Sequence, residues 1–459
     1  MAATGKTGGI DRLIRPRSVA IVGASTDPSK IAGRPLRYLK AHGFGGDIWP
    51  VNPRADEIDG IDCFADLASL PGVPDAAMIL VGPAHVEGAV RSLAEMGCGA
   101  AVVLAGGFAE VGGEGEARQA ALIEAAGGMR LLGPNTIGLL NITDATTLSA
   151  SGALDVEHRF AGGVAIVSQS GGILGSLLSR AAARGVGLSR LVATGNEADV
   201  EVADLVDWLA DDDATRVIAL YLETLRNPEA FRIAAEKAHA NGKRIVAYKV
   251  GRSAAGARSA ASHTGAMAGE DRFFDAFFNQ LGVVRVLRYD DLVDVPAALA
   301  LAPPIAGKRL AILTTTGGAA GLVADVCGLE GFETPVPSAA TAQRLAALMQ
   351  ADGYVPDRNP IDLTLAGLDP EVIHGALATL ADCGDYDAVV TVIGSSAVGR
   401  PTLTADPMVR AAAGASRPII GYASPDAPAI VQRLNAEGVP AFAAPEPIAA
   451  ALSALAASA

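Results

Sequence analysis

Gly163–Gly172 reads GVAIVSQSGG. Three of its four apolar residues, Val164, Ile166 and Val167, are β-branched, as suits a strand covered on both faces. The chain then crosses Ser168–Gln169–Ser170 and two glycines. From Ile173 the apolar spacing turns helical, in ILGSLLSRAAARG. A strand, a small-residue turn and a helix are therefore written in about twenty residues. The phrase recurs. SVAIVGAS begins at Ser18 and RLAILTTTGG at Arg309. Aligned on Val19, Val164 and Leu310, the copies stand 145 and 146 positions apart. A repeat at that period predicts three α/β domains, each opening on a buried strand.

The segments between agree. AAMIL (from Ala76), AAVVLA (from Ala100), VIALYL (from Val217), RIVAYKV (from Arg244) and DAVVTVIG (from Asp387) are continuous apolar runs of strand length. Helical patterns such as HVEGAVRSLAEMG and PEAFRIAAEKAHANG alternate with them. The expected fold is α/β: three consecutive Rossmann- or flavodoxin-like domains with mostly parallel sheets. Boundaries fall near NITDATTLSASGALD (residues 141–155) and LAPPIAGKR (Leu301–Arg309), giving domains over 1–145, 146–302 and 303–459. The alanine-rich C-terminal stretch reads as a last helix.

The chain has 459 residues, half of them hydrophobic, enough for a core in each of three domains. The formal net charge of −14 argues against a broad nucleic-acid surface, which needs a basic footprint. The four cysteines are scattered, with no C-x-x-C, so neither a disulfide framework nor a zinc site is expected. No His, Cys and carboxylate group has metal spacing, and no metal site is expected. The N-terminus has no apolar leader, and no run of about 18 apolar residues occurs. A cytoplasmic protein without membrane contact is the expectation.

In parallel α/β sheets, ligands sit beyond the carboxyl ends of the strands. A helix that starts there aims amide N–H groups and a partial positive charge at its guest, which suits phosphate. Glycine lets the backbone approach closely. All three repeated phrases have this form. The first, VGASTDPSKIAG, lacks G-x-G-x-x-G, which argues against a nicotinamide-dependent oxidoreductase. Four further strand ends, PVNPR, LVGPAHV, LAGGFAEVGGEGE and LLGPNTIGLLN, could line one sheet edge for an extended ligand, or be ordinary turns. SQSGG is an anion-site candidate or a tight turn that needs its glycines. TTTGGAAG repeats the pattern from Thr314. TGKT near the start lacks the first glycine and the strand of a phosphate-binding loop.

SAASHTGAMAG, Ser259–Gly269, surrounds His263 with small residues. It falls on a strand-to-helix loop of the second domain. Glu223 ends VIALYL in the same domain, so parallel topology carries both to one rim. A carboxylate beside an imidazole can hold one tautomer and support the cation, freeing the other nitrogen to attack phosphorus. Small neighbours leave room for a phosphoryl group. The plainer alternative is an incidental loop histidine.

GPNTIG, SQSGG and SHTGA occur here in one order. With them the chain resembles the α-type portion of the NDP-forming acyl-CoA synthetases, the superfamily that contains succinyl-CoA synthetase, and most of all the branch with ADP-forming acetyl-CoA synthetase. The resemblance covers almost the whole chain. It implies a CoA-binding domain, a succinyl-CoA-synthetase-like domain and a third ligase domain. It implies that His263 is transiently phosphorylated and that Glu223 orients it. Ser170, Gly171 and Gly172 would cradle the phosphate, with Gly317 and Gly318 in the corresponding turn of the third domain. Gly23, Ser25, Arg54, Pro83, Phe108 and Asn135 would bind CoA. Arg54 stands where the family often has Lys, and its guanidinium could grip a phosphate bidentately. ATP or ADP and Mg²⁺ would sit mainly on an ATP-grasp module, which this sequence leaves to a β-type subunit or a fused domain. The implied partners are that module, a carboxylic acid and further subunits of a homo- or hetero-oligomer. The alternative is a non-catalytic CoA-binding regulatory module of the same fold.

Overall fold

The computed structural model describes residues 3–156, 159–258, 271–349, 356–398, 400 and 402–457. Among these, three sheets are built to one plan. The first runs Asp47–Val51, Ser18–Val22, Ala76–Ile79, Ala100–Val103, Arg130–Leu132, all parallel. The second carries the parallel order Leu188–Ala193, Ala161–Ser168, Val217–Leu222, Arg244–Lys249, Val284–Val286. An antiparallel hairpin, Leu139–Asn141 with Thr146–Leu148, extends it beyond Leu188–Ala193. The third runs Ile361–Asp362, Leu310–Thr314, Ala388–Ile393, Ile419–Ala423, Ala441–Phe442. Counted within each parallel set, the order is 2-1-3-4-5 every time, the flavodoxin-like order. The repeated phrase is always strand 1, next to the point where the winding reverses.

Local chemistry explains the elements. Val217–Leu222 is buried at all six positions, as a parallel strand covered on both faces must be. The helix Pro228–Ala240 starts with proline at its first position, and Asn227 Oδ1 accepts the Ala230 N–H at 3.0 Å. The helix Pro83–Met96 also begins on proline and stops at Gly97, whose φ of 87° is cheap only for glycine. The N-terminal helix Ala3–Ile14 was not foreshadowed by the sequence, because Gly5, Gly8 and Gly9 weaken it. Packing overrides that: Ile10, Leu13 and Ile14 are buried, and a Cβ on Gly9 would lie 2.5 Å from Arg130 Cγ.

The chain forms two compact units, Met1–Ser179 with Leu188–Leu287, and Arg180–Gly187 with Arg288–Ala459. The first holds two sheets because one apolar cluster runs from Ile10, Val19 and Met78 through Leu139 to Val167, Leu220 and Phe231. A polar network reinforces it. Asn141 Nδ2 donates to Ile14 O at 2.8 Å, and the buried Arg190 reaches Asn141 Oδ1 at 2.5 Å and Asp212 Oδ1 at 3.2 Å. The second unit has apolar clusters on both faces of its sheet, one under Ala339–Met349, Pro370–Asp382 and Pro428–Ala436, the other under Gly317–Leu329 and Glu446–Ala456.

Candidate functional site

Each parallel sheet has its switch point between strands 1 and 3, where helices leave in opposite directions and a crevice opens. In the second sheet the residues flanking it are Gln169–Gly172, after Ala161–Ser168, and Glu223–Thr224, after Val217–Leu222. An open cleft of about 910 Å³ lies here. Asn135, Thr136, Gln169, Ser170, Gly171, Gly172, Asn196, Glu197, Glu223 and Arg226 contribute to its walls. Four residues of the sequence-derived phosphoryl site, Ser170, Gly171, Gly172 and Glu223, are thus together, and Asn135 of the CoA set joins them. His263 lies outside the described residues.

The turn is held by its own side chains. Ser168 Oγ accepts the Ser170 N–H at 3.2 Å and donates to Ser170 O at 2.7 Å. The helix then starts at Gly171, two residues earlier than its apolar spacing suggests. Thr314 does the same in the third sheet, accepting the Thr316 N–H at 2.7 Å and donating to Thr316 O at 2.9 Å. Its helix starts at Gly317 and Gly318, so those two candidates occupy the equivalent turn of the second unit. A smaller, mainly apolar hollow of about 480 Å³ adjoins it, with Leu313, Leu363, Ile373 and Ile393 in its walls.

Gln169 ties the turns of the cleft together, a role that SQSGG as a motif did not assign to it. Its Oε1 accepts the N–H groups of Glu223 (2.6 Å) and Thr224 (3.0 Å). Its Nε2 donates to Thr224 O at 3.0 Å and to Glu197 Oε2 at 2.9 Å. One side chain therefore joins both turns of the switch point to a third. Glu197, also missed, is buried and has φ 53°, an uncommon conformation for a residue with a side chain. Burial raises its carboxyl to about 7, against the Gln169 hydrogen bond and the Arg226 charge. Lys249, across from Leu222 in the sheet, is buried too. Its Nζ donates to Val250 O at 2.5 Å and sits 4.7 Å from the Phe274 ring centroid. Burial lowers its pKa, opposed by the charges of Asp271 and Glu223. Gln169 stands inside SQSGG without its partners being legible there, and Glu197 and Lys249 stand in none of the quoted ligand-site motifs; tertiary contacts give all three their place.

The CoA candidates mark all five strand ends of the first sheet. Gly23 and Ser25 follow Ser18–Val22, Arg54 follows Asp47–Val51, Pro83 follows Ala76–Ile79, Phe108 follows Ala100–Val103 and Asn135 follows Arg130–Leu132. Gly23 has φ 85°, and a Cβ there would sit 3.0 Å from Val81 Cγ1, so the turn after strand 1 fits against the Val81 side chain only as glycine. Asn52 Nδ2 donates to Ala24 O at 2.8 Å, tying the Arg54 turn to the first. Arg54 and Asn135 are exposed, whereas the Phe108 ring is 1% exposed and belongs to the core. Only the Phe108 backbone faces the rim, its N–H bonded to Glu110 Oε2 at 3.1 Å. A Cβ on Gly106 would meet Glu110 Oε1 at 3.0 Å and Asn135 Oδ1 at 3.3 Å, so this edge is trimmed to backbone. Glu110 Oε2 also accepts Asn196 Nδ2–H at 2.5 Å, which connects the first sheet's edge to the cleft of the second. Among the described residues no group of three His, Cys, Asp or Glu could hold a metal, and no helix is long and apolar enough to cross a membrane.

A doubly wound sheet with a glycine-trimmed rim, joined to a flavodoxin-type sheet whose first helix starts in a cleft shared with a carboxylate, defines a ligand-binding α/β protein. Comparison with known proteins agrees. Residues 17–142 match the CoA binding domain family and residues 161–299 the succinyl-CoA ligase like flavodoxin domain family. The chain is 31% identical to the α subunit of ADP-forming acetate–CoA ligase II of Pyrococcus furiosus, over 97% of both chains. It is 36% identical to a trans-feruloyl-CoA synthase from an unidentified prokaryote, over 84% of this chain and 55% of that one. Among solved structures, the dinucleotide forming acetyl-coenzyme A synthetase 1 of Ca. Korarchaeum cryptofilum, in complex with phosphate and ADP, superposes with a TM-score of 0.87. That match has 31% identity and covers 98% of this chain and 96% of the other. The chain belongs to the ADP-forming acyl-CoA synthetases of the NDP-forming superfamily and corresponds to their α-type portion. It spans nearly the full length of the separate α subunit and about half of the trans-feruloyl-CoA synthase.

Proposed function

We propose that this chain is the CoA-binding and phosphoryl-transferring half of an acyl-CoA synthetase, acting with an ATP-grasp module on a separate subunit or a fused domain. The reaction is acid + CoA + ATP ⇌ acyl-CoA + ADP + phosphate. An acyl phosphate forms, and the phosphoryl group passes through His263. Glu223 orients the ring, and the amides at Ser170, Gly171 and Gly172 receive the phosphoryl oxygens, a role suited to a helix N-terminus. Gly317 and Gly318 offer a second such turn. CoA lies along the first sheet's rim, with Gly23, Ser25, Arg54, Pro83 and Asn135 as contacts and Phe108 contributing backbone only. ATP or ADP and Mg²⁺ sit on the ATP-grasp module, and the chain divides into working parts near residues 145 and 302.

The observation that supports this most is the cleft in which the Gly171 helix start meets Glu223 across Gln169. The test is transfer of label from [γ-³²P]ATP in the presence of the ATP-grasp partner. Wild type should become acid-labile and base-stable labelled, and His263→Ala should stay unlabelled. Equal labelling of both sinks the reading.

A further inference from the structure

We propose that Glu197 is a positioning residue of the phosphoryl cleft, and that its charge state sets how readily the Gly171–Gly172 helix start accepts a doubly charged oxyanion. This deepens the phosphoryl reading of the cleft and rests on it.

Three observations carry the inference. The side chain lines the cleft yet its carboxyl is almost wholly hidden from solvent. It is held there at the cost of a left-handed backbone in a residue with a side chain. Its partners are directional: Oε1 accepts the Val202 N–H at 3.2 Å, and Oε2 accepts Gln169 Nε2–H at 2.9 Å. Through Gln169 it is one side chain removed from the Glu223 and Thr224 amides. A carboxyl hidden among hydrogen bonds serves packing equally well when neutral. What its charge changes is the field in the cleft.

Charged groups approach it from several elements. Arg226, on the turn after Val217–Leu222, approaches Oε2 to 3.5 Å. Glu223 stands on the same turn. Glu201, just before the helix Val202–Ala210, adds a like charge. Asp199 and Asp204 are engaged by Arg130. Glu110 reaches the cleft wall through Asn196. Carboxylates thus outnumber the contacting cation. A phosphoryl dianion entering while Glu197 is ionised meets one more negative charge in a poorly solvated place. With Glu197 neutral, that repulsion is gone while Gln169 keeps an acceptor at Oε2. Burial, which brings the carboxyl to about 7, lets both forms exist near neutral pH.

Sulfate is the probe, since it stays a dianion from pH 6 to pH 8 while phosphate titrates. Calorimetry on the full chain should show the wild type losing about tenfold more sulfate affinity over that interval than Glu197→Gln. Glu197→Asp, which restores a titratable carboxyl, should restore the loss. A folded Glu197→Gln variant that tracks the wild-type curve overturns the proposal and leaves the cleft reading standing. Absence of sulfate binding at every pH in every protein overturns the cleft reading, and this proposal with it. Should Glu197→Gln not fold, ¹³C NMR of the wild-type carboxyl decides instead. Bound sulfate must then raise the Glu197 titration midpoint, because linkage is reciprocal; an unmoved midpoint overturns the proposal.

Discussion

At Gly172 the backbone and the cleft make different demands. A Cβ built there meets nothing within 4 Å, so the fold has room for one, but that room belongs to the cleft. Gly172→Ala is therefore expected to keep or raise thermal stability, by about 0.5–1 kcal/mol from helix propensity. The methyl stands over the helix start, so sulfate binding should weaken at least about fivefold, by the cost of misplacing a charge-assisted hydrogen bond. A melting curve and a titration on the same preparation check both halves. Gly171 is the opposite case: its Cβ would lie 2.7 Å from Ile137 Cγ2, so packing alone requires glycine. SQSGG announced a glycine turn, but the sequence could not say which glycine serves packing and which leaves space. Nor could it assign Gln169 and Glu197, whose partners lie 54 and 28 positions away along the chain.

At the scale of elements, Arg130 joins pieces that the sequence keeps apart. It ends up buried in the last strand of the first sheet, with Nε 2.8 Å from Asp199 Oδ2 and Nη2 3.1 Å from Asp204 Oδ2. Asp199 Oδ2 also accepts the Leu131 N–H at 2.8 Å, and Asp204 Oδ2 accepts the Glu201 N–H at 3.1 Å ahead of the helix. Strand, turn and helix start are thus fastened at one guanidinium. Arg130→Leu should lower stability by about 2–3 kcal/mol, below the usual range for a broken buried pair because both carboxylates are partly solvated. A shift of the urea midpoint without a change in slope is the expected record. Strands such as Val217–Leu222 were legible from composition, since burial on both faces demands an unbroken apolar run. The N-terminal helix was not, because its glycines speak against it until Gly9 is seen against Arg130.

For the molecule as a whole, acid–base balance offers a measurable signature. Asp294, in the second unit, is buried in a helix whose neighbours include Asp290 and Asp291. Burial first, then those two carboxylates, raise it to about 7, with Arg184 Nε at 3.4 Å opposing. The folded chain therefore holds this proton more tightly than the unfolded chain, whose aspartates titrate near 4. Stability that is complete below the unfolded value is lost as pH rises toward 7. Asp294→Asn removes that loss. Relative to wild type, its unfolding free energy should rise by about 2–3 kcal/mol between pH 5 and pH 8, read from urea titrations at both. An unchanged difference between the two proteins would refute the burial argument. The 145- and 146-residue spacing of the repeated phrase belongs to this scale too, for it becomes three sheets with one strand order.

The sequence by itself determined the class of fold, the three buried first strands, the glycine turns at their ends and the family. These are local properties: a buried parallel strand needs an apolar run, and a backbone that must approach closely needs glycine. Only the tertiary structure decided that Phe108 is core, that Gln169 pins two turns together and that Glu197 is shut inside the cleft wall. Those outcomes depend on strand order and on contacts between residues far apart in the chain. A residue's own type states its preference for water or for a turn, but not which distant neighbour will remove it from solvent.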